Sequence, residues 1–251
     1  MSKVTTLDGL KRFFKFPFEG AEWQKRFFIG AGLILLSFFI PIIPAIFVCG
    51  YIVQVMRQAI AGHDLALPAW EDWGKLGLDG LRFCAVGLAF LLPGLLAYFC
   101  GTSLYALASL FLPFSMQLAE AGRILYTLIP LFFIGAMMIL FITIFLGTVL
   151  TLLGTAPLPM AIAHFVKQDE IGAAFRFREW WPFLWRNKVV YLIAWALCGG
   201  LMLISYYGIM ILYATLILCM LIPVVSAPLL FYCMLVWAAT FGEVYRGCDA
   251  S

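Results

Sequence analysis

Four long stretches of the chain carry no Asp, Glu, Lys or Arg: residues 27–56, 83–119, 124–166 and 189–242. Within them apolar residues fall on every side. A soluble amphipathic helix would keep one apolar stripe, and a half-buried strand would alternate. Each stretch exceeds the roughly 20 residues that cross a hydrocarbon core. Backbone polar groups cannot stay unpaired in lipid, so such segments are helices or a closed barrel. Barrel strands would show alternation over about ten residues, which these stretches lack. The pattern predicts an all-α, polytopic transmembrane helical bundle.

Prolines and glycines divide the runs further. The first run is long for one upright crossing, and Pro41 and Pro44 interrupt its centre. Proline removes a ladder hydrogen bond and clashes with the preceding turn. A hairpin is therefore expected: a helix from about Glu22, a turn near Pro41–Pro44, and a second helix to about Gly62. The second run reads as one long helix, bent at Pro93 and running towards Pro113. Gly80, Gly87, Gly94 and Gly101 recur every seven residues. Such positions drift only about 20° per step, giving a smooth stripe on which a neighbouring helix can pack closely. The third run holds a helix to about Leu153 and breaks over Gly154–Pro159, leaving Met160–Val166 too short to cross. The fourth divides near Pro223 and Pro228 into two helices. Run lengths thus give about six crossings in one membrane domain, 27–242, with halves of about 23–119 and 124–242. A basic segment, 1–26, precedes it and a short tail, 243–251, follows. Arg57 precedes Trp70 by 13 residues, and Lys167 precedes Trp180 by the same 13. This echo points to a two-fold repeat offset by about 110 residues, a layout of several polytopic folds. A strict repeat would need eight crossings, so the expected range is six to eight.

Composition and charge sharpen this reading. The chain is 65% hydrophobic and 12% charged, against about 25% charged in soluble domains. A net charge of +3 spread over several islands argues against nucleic acid, which needs basic residues gathered on one face. Six Lys and Arg lie in 1–26 and five in 167–188. The positive-inside rule then puts both termini in the cytoplasm. Leu7, Leu10 and Phe14 share a helical face, with Lys11, Arg12 and Lys15 elsewhere, as in a helix lying on a membrane. No small-residue cleavage site follows promptly, so the first run reads as a retained anchor.

The islands hold the candidate contacts. In Pro68–Gly80, Trp70 and Trp73 flank Glu71 and Asp72. This reads as an interfacial helix, Pro68 near its start, acids in its first turn and tryptophans at headgroup depth; a docking surface is the alternative. In Phe175–Lys188, Arg176, Arg178, Arg186 and Lys188 mix with Trp180, Trp181 and Trp185. These bases suit anionic lipid headgroups, at about 1 kcal/mol each, and also hold the loop inside. The seven cysteines have no CxxC spacing and read as small buried hydrophobes. His63 and His164 lie far apart, with no carboxylate or cysteine at ligand spacing, so neither metal nor cofactor is expected. Glu120 and Glu243 sit at run ends, Glu243 being the better candidate for a buried acid. Ion and proton pathways place ionisable groups within spans, and none lies well inside these runs. G-x-S-x-G, H-E-x-x-H and P-loop motifs are absent. An enzyme would need Asp72, Asp79, His63 and Arg178 to converge.

The chain resembles a family of prokaryotic integral membrane proteins, domain of unknown function 4013. The resemblance rests on Phe16-Pro17-Phe18 with Trp23, Gly50-Tyr51 with Arg57, Leu67-Pro68, Trp70, Asp72-Trp73 and Asp79-Gly80. Gly172-Ala173-Ala174-Phe175-Arg176, the Trp180–Asn187 stretch, and Phe241-Gly242 with Tyr245 carry it through the second half. It covers nearly the whole chain and implies a prokaryotic cell membrane, with no established activity. The expected function is a non-catalytic membrane module that binds lipid or serves a membrane complex, with a membrane-protein partner or a second copy of itself. The alternative is a transporter for an apolar or lipidic cargo, with a cavity near Pro41–Pro44 or Gly154–Pro159.

Overall fold

The computed structural model describes residues 7–20, 22–119, 123–214 and 219–249, which form nine α-helices and three short 3-10 turns with no strand among them. The helices are α1 (Leu7–Lys15), α2 (Trp23–Ser37), α3 (Ile43–Ala61), α4 (Trp73–Ala119), α5 (Arg123–Thr155), α6 (Leu158–Gln168), α7 (Phe177–Arg186), α8 (Lys188–Ala214) and α9 (Ile222–Asp249). Glu120 and the side chains of Leu7 and Leu10 lie outside the described residues.

The expected hairpin forms. α2 stops at Ser37, and Pro44 opens α3 in the first turn, where its missing N–H costs nothing. α3 ends in a Schellman motif: Gly62 takes φ +77°, its N–H donates to Ala59 O, and the His63 N–H reaches Gln58 O. A Cβ at Gly62 would also collide with the Arg246 guanidinium. α5 breaks at Ala156–Pro157, inside the expected stretch.

The interfacial helix expected over Pro68–Gly80 does not form. Residues 63–69 hold no regular secondary structure, and α4 starts only at Trp73. Two carbonyls of this loop serve side chains instead of a helix: Leu67 O accepts from Arg26, and Pro68 O from the Tyr51 hydroxyl at 2.9 Å. Asp72 then caps α4, its Oδ1 accepting the Lys75 N–H at 3.2 Å, as N-cap acids do.

Five stretches are long and apolar enough to cross a membrane: Ile43–Ala61, Trp73–Leu110, Pro130–Gln168, Lys188–Ala214 and Ile222–Asp249. α2, with 15 residues, spans only about 22 Å at 1.5 Å per residue, short of a core of about 30 Å.

The chain divides into two compact units, one of the residues up to Val86 together with those from Pro159 onward, the other Gly87–Leu158. In the first, α9 is the centre, packed by α1, α2, α3, α7 and α8. Phe231, Leu235, Val236, Ala238 and Ala239 of α9 are buried there. Every residue of α6 from Pro159 to Val166 is buried, as befits a short helix that is apolar all round. α1 also differs from its sequence reading. It docks on α9, with Phe13 buried and Phe14 O accepting from the Tyr232 hydroxyl at 3.1 Å. Phe13 thus buries against protein rather than lipid.

In the second unit, α4 and α5 pack antiparallel through glycines of both. A Cβ at Gly94 would collide with Thr151, at Gly101 with Thr143, and at Gly154 with Phe90 O; Gly147 lies against the Tyr98 ring. The glycine stripe therefore serves two partners. Gly80 packs on α3, Gly94 and Gly101 on α5, and Gly87 meets nothing within 4 Å.

Candidate functional site

Charged residues separated by up to 112 positions meet at one end of the first unit. Arg57, near the end of α3, donates to Asp79 at 3.1 Å and to Asp169 at 3.2 Å. Arg82, one turn further along α4 than Asp79, lies 3.5 Å from Asp169 and 3.9 Å from Asp79. Two arginines and two aspartates balance in charge. The two acids differ sharply in environment: the Asp79 side chain is 2% exposed and that of Asp169 64%. Asp79 is buried because its neighbour Gly80 lets α4 lie directly on the α3 backbone at Ile46.

Beside this quartet an aromatic stack fixes the 63–72 loop. Tyr51 and Trp70 stack at 4.0 Å with 10° between planes, and Trp70 meets Trp73 at 5.7 Å. The Trp70 indole N–H donates to Arg26 O at 2.8 Å. Between loop and α3 opens a cleft of about 460 Å³, lined by Gln54, Arg57, Gln58, Ala61, His63, Pro68 and Lys75.

His164 of α6 is buried and bonded at both nitrogens. Nδ1 lies 2.7 Å from the Tyr245 hydroxyl, and Nε2 3.0 Å from Glu179 Oε2. An ionised carboxylate only accepts, so Nε2–H donates to Glu179 and Nδ1 accepts from Tyr245. One neutral tautomer satisfies all three groups. Lys167 pairs with Asp249 and lies over the Tyr245 ring. His164 thus does meet a carboxylate, 15 residues away and on another helix. The available sequence signal was a histidine within an apolar run, since a buried polar ring must find partners. Tyr245→Phe leaves Nδ1 an orphan acceptor and is expected to cost about 1–3 kcal/mol, read as a lowered thermal midpoint in detergent.

The second island forms α7, whose two faces separate cleanly. Trp180 is fully buried, donating to Ala174 O at 3.1 Å, and is part of the fold's interior. Phe177, Trp181 and Trp185, four apart, are exposed. Arg178, Arg186 and Lys188 are exposed too, while Arg176 engages Glu170 at 3.0 Å and Glu179 at 3.8 Å. In the first island Trp73 is exposed and Trp70 half-buried. Glu243 is buried and paired with Arg246. Asp72, Asp79, His63 and Arg178 serve separate tasks: helix cap, ion-pair quartet, cleft wall and exposed face. Cys198, Cys233 and Cys248 are buried and in no disulfide, Cys49 and Cys84 half-buried, and Cys100 exposed.

Residues 33–214 match the family described as protein of unknown function (DUF4013). The chain belongs to the DUF4013 family. No curated protein and no solved structure matches it. The DUF4013 range takes in the quartet, the Tyr51–Trp70 stack, the cleft, His164 and α7. It leaves out the Phe16–Trp23 and Phe241–Tyr245 features, so the likeness is narrower than the nearly whole chain expected. The helix at the centre of the first unit, α9, lies beyond the matched range.

Proposed function

We propose that this DUF4013 protein is a non-catalytic module of a prokaryotic cell membrane that gathers anionic lipid headgroups at its polar end and serves a membrane complex as an accessory or assembly part. The observation that carries the reading is the outer face of α7. Three large aromatics stand exposed there beside Arg178, Arg186 and Lys188. This is the make-up of a helix lying at headgroup depth, with aromatic rings at the interface and bases attracted to anionic lipid.

Topology supports the same reading. Arg12–Asp64, Arg57–Asp169 and Lys167–Asp249 pairs tie the N-terminal segment, both islands and the C-terminal turn of α9 together. The chain therefore returns to one end after each of three excursions, α2–α3, α4–α5 and α8–α9. Six crossings satisfy that return, with α2 as a short first one. The basic excess of this end supports a cytoplasmic location for it and for both termini.

Replacing Arg178, Arg186 and Lys188 together by Gln tests the lipid reading. At about 1 kcal/mol per base, enrichment of phosphatidylglycerol over phosphatidylcholine among co-purified lipids should fall by tenfold or more. Unchanged enrichment would remove the reading. A second reading, transport of an apolar or lipidic cargo, draws on one observation. The α4–α5 unit holds an apolar cavity of about 300 Å³ between Leu104, Ala108, Phe132, Gly135, Ala136 and Ile139. It lies away from the expected breaks at Pro41–Pro44 and Gly154–Pro159. Lipid scrambling by reconstituted protein, abolished by Gly135→Phe, would favour transport.

A further inference from the structure

Two of the cysteines stand beside the crossing of α3 and α4. A Cβ at Gly80 would collide with Ile46 O and lie 2.9 Å from Gly50 N, and a Cβ at Gly50 would collide with Leu76 O. The two backbones therefore touch. Cys49 directly precedes Gly50 in α3. Leu76, Gly80 and Cys84 recur every four residues and form one ridge of α4, whose first two members meet α3. The third sets its thiol against Cys49, and the two side chains share a hydrogen bond. A disulfide needs Cα atoms within about 7 Å and side chains that converge, a demand met most readily where two backbones are in contact. Cys233 and Cys248 are engaged elsewhere, with the Ser205 hydroxyl at 3.3 Å and the Asn187 amide at 3.2 Å.

The pair is also accessible. Both side chains are only half-buried. Cys84 stands five residues past Asp79, about 8 Å along the axis at 1.5 Å per residue. The two thiols thus lie just inside the charged quartet, where a small neutral oxidant can arrive from the polar end. We propose that Cys49 and Cys84 form a redox-modification site, a dithiol that a peroxide converts to a disulfide joining α3 to α4. One sulfur attacks the peroxide, the O–O bond breaks, and one oxygen leaves as water, giving a sulfenic acid. The second sulfur attacks the first, the S–S bond forms, and the other oxygen leaves as water. Two thiols lose two electrons and two protons, and hydrogen peroxide becomes two waters. The product makes covalent a crossing that Gly50, Gly80 and the Arg57–Asp79 pair otherwise hold by packing and charge.

The test uses the full chain in lipid nanodiscs, titrated with hydrogen peroxide, blocked with N-ethylmaleimide under denaturing conditions and mapped by mass spectrometry. Oxidation should yield a linked Cys49–Cys84 peptide, lower the intact mass by two hydrogens and leave two fewer thiols to block, all reversed by a thiol reductant. The thermal midpoint of the oxidised protein should rise by several degrees, since a cross-link restricts the unfolded chain. Cys49→Ala leaves Cys84 without a resolving thiol, so Cys84 should gain oxygen instead and the oxidant should raise no midpoint; Cys84→Ala should do the same for Cys49. Alanine buries no new polar group, and midpoints of the reduced variants near that of the wild type separate lost cross-linking from lost folding. Wild-type Cys84 gaining oxygen rather than losing hydrogen would overturn the proposal. So would linkage of either residue to another cysteine, or both thiols staying open to blocking at doses that fully oxidise free glutathione.

Discussion

Alanine at Gly50 or Gly80 should destabilise the protein by about 3 kcal/mol, whereas alanine at Gly87 should leave it unharmed or slightly more stable. All three glycines lie in helices, and all would gain intrinsic helix propensity of about 1 kcal/mol from the change. What separates them is the space that a Cβ would enter. At Gly50 it would run into the Leu76 carbonyl, and at Gly80 into the Ile46 carbonyl, with Gly50 N 2.9 Å away. These neighbours are backbone, so no side chain can swing aside, and the α3–α4 crossing must open. Overpacking a well-filled site typically costs 1–3 kcal/mol and occasionally more; a clash with two rigid backbones belongs at the upper end. Opening the crossing also lifts Asp79 away from Arg57, since Asp79 is the residue next to Gly80. At Gly87 nothing lies within 4 Å, so only the propensity gain remains. Thermal midpoints of the three variants in one detergent decide the matter. A Gly87→Ala loss as large as that of Gly80→Ala would mean that backbone flexibility, not close approach, is what these glycines supply.

The same residues mark the limit of what the sequence disclosed. Helix boundaries at Pro44, Gly62 and Pro157 were legible because proline and glycine act on the backbone locally, whatever surrounds them. The seven-residue glycine spacing was legible as a stripe, but not its division. α4 lies on α3 at Gly80 and on α5 at Gly94 and Gly101, and nothing along one helix announces a change of partner. The tryptophans show a related limit. Trp70 and Trp180 look like Trp73, Trp181 and Trp185 in composition, yet the first two give their indole N–H groups to backbone carbonyls within the fold. Headgroup contact and interior packing both favour an amphipathic ring, so residue type alone cannot separate them. The ion-pair quartet and the His164 node were hidden for a plainer reason. Arg57 and Asp169 stand 112 residues apart, and only the folded bundle sets their spacing. The runs themselves carry no Asp, Glu, Lys or Arg. The corollary shows only in the fold: charges crowded at one end of the bundle pair with each other there.

Neutralising the two aspartates of the quartet should have very different consequences, although both touch the same arginines. Asp79→Asn keeps the side-chain shape but leaves Arg57 and Arg82 facing only Asp169. Breaking a fully buried pair costs about 3–5 kcal/mol, because an uncompensated charge is stranded. Here Asp79 is buried, but the arginine side chains keep 31% and 28% exposure, so water offsets part of the loss and about 2–3 kcal/mol is expected. Asp169→Asn removes an acid that is 64% exposed, and exposed pairs contribute about 0–1 kcal/mol. Salt sharpens the contrast. At 1 M the Debye length falls to about 3 Å, so the Asp169 contribution should vanish while most of the Asp79 contribution persists. A double-mutant cycle completes the argument. Arg57→Met combined with Asp79→Asn should cost less than the sum of the single changes, since each removes the group that the other strands. Chemical-denaturant midpoints in detergent at low and high salt measure all of these. Equal losses for the two aspartates, screened equally by salt, would show that Asp79 is hydrated and that the quartet is a surface feature rather than the buried clasp between α3, α4 and the end of α6.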